Sequence, residues 1–74
     1  MVIDERQKKY RITSDKKSRA LLGSFSMAQH IAEELAPKDS QRAEIHVEQG
    51  GIFVLCAWRE NGLWNYIESI VEQP

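Results

Sequence analysis

Only one cysteine occurs in the chain, Cys56, so no intrachain disulfide can hold the protein together. Because Cys56 sits inside an apolar run, it reads as a buried, inert thiol, which suits a reducing compartment. Long hydrophobic stretches are also missing. The longest unbroken apolar run, Ile52 to Trp58, has seven residues, far short of the roughly 20 that a membrane-spanning helix requires. Residues Met1 to Tyr10 are mostly polar and charged where a signal peptide would carry an apolar core, so a cytoplasmic location is expected. No internal repeat or low-complexity segment occurs, and nothing matches a catalytic, metal-binding or nucleotide-binding motif. An enzyme is therefore not expected, and neither is a metal, another cofactor or a membrane partner.

What is present is the composition of an ordinary globular chain, 74 residues with 42% hydrophobic and 28% charged, which argues against wholesale disorder. That length suits one domain with a small core and a narrow margin of stability. The net charge of −1 hides an uneven distribution. Residues 1–19 carry seven cations against three anions, and the remainder carries three against eight. The plain reading is that a basic segment neutralises an acidic body within one fold. The alternative is a nucleic-acid contact through Lys8, Lys9, Arg11, Lys16, Lys17 and Arg19, laid along a basic hairpin.

Apolar periodicity places the elements. Ile52 to Trp58, bracketed by Gly50-Gly51 and Asn61-Gly62, reads as a central strand apolar on both faces. Lys8 to Thr13 alternates, with Tyr10 and Ile12 on one side; Ser14 to Ser18 reads as a turn and residues 19–23 as a returning strand. A helix is expected from an N-cap at Ser26, with Gln29 at the third helical position completing a capping box. Met27, Ala28, Ile31, Ala32 and Leu35 form its apolar face, and Pro37 ends it near Leu35.

Ala43 to Gln49 alternates strictly and pairs with the central strand through a Gly50-Gly51 turn. A regular register sets Val47 against Val54, Ile45 against Cys56 and Ala43 against Trp58 on the inner face. Glu48 then meets Phe53, His46 meets Leu55 and Glu44 meets Ala57 on the outer face. After Gly62, a hundred-degree wheel collects Leu63, Trp64, Tyr66, Ile67, Ile70 and Val71 in one arc, which predicts a helix over 63–72. Residues 1–6 and 73–74 are expected to fray. The fold expected is a single small α+β domain over residues 1–74. Its short, mostly antiparallel sheet has the order β-β-α-β-β-α, with one main helix on one face.

Few side chains invite chemistry. His30 and Glu34 stand four apart on a helix but have no third ligand in sight. His46 lies between two glutamates without a nucleophile nearby, and Cys56 points inward. Trp58, Trp64 and Tyr66 read as core aromatics. Phe53 and Leu55 stand out because they point away from the helix that covers Val54 and Cys56. With Glu44, His46, Glu48 and Arg59 around them they form an apolar centre with a polar rim, the pattern of a protein-binding or homodimer surface. A compact α+β chain of this size without catalytic residues resembles the small accessory or inhibitor proteins of phages and mobile elements, anti-CRISPR proteins among them. That resemblance lies in size and fold class and implies non-catalytic protein binding.

Overall fold

The computed structural model describes residues 7–71, so the ends expected to fray lie outside the described residues. The elements run β1 (Lys8–Ser14), β2 (Lys17–Gly23), α1 (Phe25–Leu35), β3 (Ala43–Gln49), β4 (Ile52–Glu60), β5 (Leu63–Tyr66) and α2 (Glu68–Val71). The strands form one antiparallel sheet in the order β2-β1-β3-β4-β5. The α+β class and the element order through β4 are those read from the sequence. No described helix is long and apolar enough to cross a membrane.

Turn chemistry sets the hairpins. Gly50 and Gly51 both have positive φ, 61° and 89°, and Asn61 and Gly62 repeat the pattern at 53° and 78°, the backbone a two-residue type I′ turn requires. The first hairpin closes more tightly than expected, through Asp15 and Lys16 alone, so β2 begins at Lys17 rather than residue 19.

The core lies between the sheet and α1. Tyr10 and Ile12 of β1 sit beside Val47 and Ile45 of β3, and Ala28, Ala32 and Leu35 of α1 close over them. The two alanines are fully buried, small enough to let the helix approach the sheet closely. Ile12 and Ile45 are also fully buried, each contributing about 1.5–3 kcal/mol by removal from water.

The helix starts two residues earlier than the sequence reading placed it. Ser24, not Ser26, is the N-cap, and its hydroxyl accepts from the Met27 amide at 3.3 Å. This start brings Phe25 onto the helix, where its ring meets Tyr10 and Tyr66 edge to face at centroid distances of 6.3 and 5.8 Å. Met27, expected inward, is exposed at the margin of the apolar face, with its sulfur beside Gly23. The helix ends at Leu35 as expected. The Ala36 amide closes it by donating to the Ala32 carbonyl at 2.9 Å, one residue before Pro37.

Two further expectations give way. The register of β3 with β4 is the expected one from Gln49↔Ile52 to His46↔Leu55, and then a bulge intervenes. Ile45 pairs with Ala57, Glu44 with Trp58 and Ala43 with Arg59, leaving Cys56 without a partner in the ladder. One extra residue reverses the facing of everything beyond it. Trp58 therefore turns to the outer face and Arg59 to the helix side. The Cys56 carbonyl, freed from the ladder, accepts from the Ile67 amide at 2.9 Å.

The second correction concerns residues 63–72. The expected helix is replaced by β5, which pairs with β4 from Glu60↔Leu63 to Ala57↔Tyr66, and α2 occupies only Glu68–Val71. A strand gives the β4 edge hydrogen-bond partners that a helix would not. It also sends Trp64 and Tyr66 to the α1 side, where their rings stack at 6.4 Å.

Candidate protein-binding face

α1 packs on one face of the sheet, and Ile70 of α2 packs against the same buried cluster, so the opposite face is the one left to the outward side chains of the strands. Its side chains fall into rows set by the ladder. Leu22 on β2 pairs with Lys9 on β1, and Glu48 on β3 pairs with Phe53 on β4; Lys9 and Glu48 lie one position beyond the last β1–β3 pair, Tyr10↔Val47, and line one pocket with Leu22. One row along, Ala20 neighbours Arg11, His46 and Leu55. Beyond the bulge, Thr13, Glu44, Trp58 and Asn65 follow.

Phe53 is 38% exposed and Leu22 62%, while Leu55 and Trp58 are half-buried. Phe53 does not stand upright on its strand. Its ring lies under the Arg11 guanidinium, 4.7 Å from carbon to centroid, so the pair spans β3. This cation-π contact contributes about 0.5–1 kcal/mol at an exposed site. Phe53 also helps line a shallow, mainly apolar groove of about 270 Å³ that reaches Lys9, Ala20 and Leu22.

The expected rim is present in part. Glu44, His46 and Glu48 lie on this face. Glu44 accepts from Arg42 Nε at 2.8 Å, and Arg42 Nη1 reaches Glu60 at 3.2 Å, so the β3 and β4 ends are tied by an exposed ion network. His46 Nε2 stands 3.9 Å from Glu44, and its Nδ1 is buried with no partner among the described residues.

Arg59 does not belong to the rim. It is 4% exposed on the other side of the sheet, where Nη2 donates to the carbonyls of Ala36, Lys38 (2.9 Å) and Gln41 (3.2 Å). Those carbonyls belong to the end of α1 and the connector to β3. The bulge is the cause, since a regular ladder would have aimed Arg59 outward. The same bulge brings in Trp58, which sequence reasoning assigned to the core. The alternation of β1 puts Arg11 opposite Tyr10 and Ile12, whereas the place of Leu22 follows from a turn at Asp15-Lys16 tighter than the expected Ser14 to Ser18, and nothing local in the sequence announces the turning of Trp58.

The basic residues do form a hairpin, but their side chains divide between its faces. Lys9 and Arg11 lie on the open face, while Lys8, Lys17 and Arg19 follow the alternation of Tyr10, Ile12 and Leu21 on the opposite side, and Lys16 sits in the turn. Elsewhere, His30 Nε2 is 3.8 Å from Glu34 and both are largely exposed. Among the described residues no three His, Cys, Asp or Glu side chains gather as metal ligands. The Cys56 thiol is buried, donates to the Ile45 carbonyl at 3.3 Å, and has its pKa pushed up to about 11 by burial, so it stays protonated at neutral pH.

Comparison with protein-family models, with curated proteins and with solved structures finds no match for this chain.

Proposed function

We propose that this chain is a non-catalytic protein-binding module that works through the open face of its sheet. The observation that carries the reading is the apolar set Leu22, Phe53, Leu55 and Trp58, turned outward on the face opposite α1 and set among Lys9, Arg11, Glu44 and Glu48. An antiparallel sheet with one packed face ordinarily turns polar side chains to water on the other. Here aromatic and aliphatic side chains are interleaved with charges, the composition of an interface centre and its surround. Trp and Arg are also the residue types that dominate binding energy where they become desolvated. A module of this kind acts by occupying a surface of its target, as an accessory or inhibitor protein does.

The test is the double variant Phe53→Ser with Leu55→Ser, examined for folding and for association together. Its urea midpoint, measured at high dilution, falls only by the equivalent of about 1–2 kcal/mol, from the lost Arg11 contact and half-buried Leu55, while binding to its protein partner is lost. A drop of several kcal/mol in the diluted monomer would place both side chains in the core and end this reading.

A further inference from the structure

We infer that the partner on the open face is a second copy of this chain, in a symmetric sandwich whose two-fold axis runs parallel to the strands between β1 and β3. The inference rests on the open face being the binding surface. It adds the occupant and the geometry. Two rows carry the argument. Across the sheet they read Leu22, Lys9, Glu48, Phe53 and Ala20, Arg11, His46, Leu55, that is, apolar, basic, acidic or imidazole, apolar.

Both rows are symmetric in apolar character about their midpoint, and the first, with Lys9 beside Glu48, is also antisymmetric in charge, whereas the second sets Arg11 against His46. A two-fold axis through that midpoint lays β1 of one copy on β3 of the other, so Lys9 faces Glu48 twice. The same operation lays β2 on β4, so Ala20 faces Leu55 and small meets large, while the Phe53 ring, drawn across β3 beneath Arg11, lies near the axis beside its own copy. An isologous contact requires this kind of self-complementarity. The other in-plane two-fold axis, perpendicular to the strands, would lay β1 on β1 and set Lys9 and Arg11 against their own copies. Charge therefore selects the first arrangement.

Two sheets stacked face to face in this way match the aligned packing of β-sandwiches, about 10 Å apart. Four facing strands spaced by about 4.8 Å, each with three outward side chains, give a footprint of roughly 400 Å² per copy. That lies at the low end for specific interfaces, so the dimer is one that dilution separates.

Sedimentation equilibrium of the full chain between about 10 μM and 1 mM, at an ionic strength low enough that charges are not screened beyond a Debye length of about 10 Å, reads the assembly. Two charge-reversed chains decide its geometry: Lys9→Glu with Arg11→Glu makes both central stripes acidic, and Glu44→Lys with Glu48→Lys makes both basic. The unaltered chain is expected to dimerise, each reversed chain alone to associate at least tenfold more weakly, and their equimolar mixture to recover a one-to-one dimer. Should a doubly reversed chain lose its fold, the single exchanges Lys9→Glu and Glu48→Lys, both at exposed positions, are read in the same way.

A chain that stays monomeric at 1 mM overturns the inference. If Phe53→Ser with Leu55→Ser leaves the fold intact in that case, the protein-binding reading survives with a different partner. If that double variant unfolds, both readings fall. A dimer that neither charge reversal weakens would place the contact elsewhere or in the other two-fold arrangement, where the unaltered chain already sets like against like, and would overturn the proposed geometry.

Discussion

The guanidinium of Arg59 donates to the carbonyl of Ala36, the residue that caps α1, and the two are separated by 23 positions in sequence. The same nitrogen reaches the Lys38 and Gln41 carbonyls, so one side chain from β4 holds the whole exit from the helix. The last carbonyls of a helix have no partners within it, and burying them unpaired is costly. A charged donor supplies what the connector lacks. Its own charge is spread over a guanidinium that is desolvated less severely than an ammonium.

Replacing Arg59 with alanine therefore removes its donor from the Ala36 and Gln41 carbonyls and leaves the Lys38 carbonyl with the Gln41 amide at 2.9 Å. The expected loss is about 3 kcal/mol, read as a lower urea midpoint with an unchanged slope. Arg59→Lys recovers only part of it, because an ammonium is more strongly hydrated than a guanidinium and costs more to bury. An Arg59→Ala protein that unfolds together with the unaltered chain would remove Arg59 from the structural account and return it to the surface.

The helix start gives a second, sharper comparison. Ser24→Ala removes the oxygen that accepts from the Met27 amide and is expected to cost about 1 kcal/mol. Ser26 lies within the first turn, exposed, with its hydroxyl 3.2 Å from that of Ser24, so Ser26→Ala should change stability by no more than about 0.5 kcal/mol. Thermal unfolding of the two variants side by side decides the matter. The opposite ranking would restore the cap to Ser26.

Burial of Cys56 predicts the direction of alkaline instability. The folded thiol has its pKa pushed up from 9.0 to about 11, with burial as the main cause and Lys8 pulling weakly the other way. The folded state thus holds a proton that the unfolded state gives up more readily. The stability this provides is fully present below about pH 9 and is lost as the pH rises toward 11. Tyr10, also raised by burial, adds a loss of the same sign. Unfolding midpoints measured from pH 8 upward should fall for the unaltered chain and fall less for Cys56→Ala. Equal slopes would mean that the thiol is not shielded, and rapid labelling of the folded protein by a thiol reagent at neutral pH would say the same.

Much of the sheet is legible in the residues because it depends on neighbours in sequence. Gly50-Gly51 can adopt the positive φ of a type I′ turn, and that turn alone sets the pairing of Gln49 with Ile52 and of each residue back to His46 with Leu55. The alternation of Ala43 to Gln49 says which side chains are buried, and Pro37 says where α1 stops. Phe53 and Leu55 were recognisable as outward-facing for the same reason, since they lie before the bulge.

The remainder turned on contacts between distant segments. Leu63 to Tyr66 carries an apolar pattern that fits a helix as well as a strand, and the choice went to the conformation that pairs with the open edge of β4. Ser24 and Ser26 are both competent caps. The first is used because it starts the helix early enough for Phe25 to meet Tyr10 and Tyr66. The bulge at Cys56 is the decisive case. Local sequence specifies a strand there but not a skipped partner, because what the bulge gains is made elsewhere: Arg59 against the end of α1 and the Cys56 carbonyl against Ile67. By itself, then, the sequence determined the Gly50-Gly51 turn, the alternation of β1 and β3, the body and end of α1 and the outward set of Phe53 and Leu55, all governed by backbone preferences and periodicity over a few residues. Tertiary structure decided which face received Trp58 and which received Arg59, because a one-residue shift in a ladder of period two reverses every side chain beyond it.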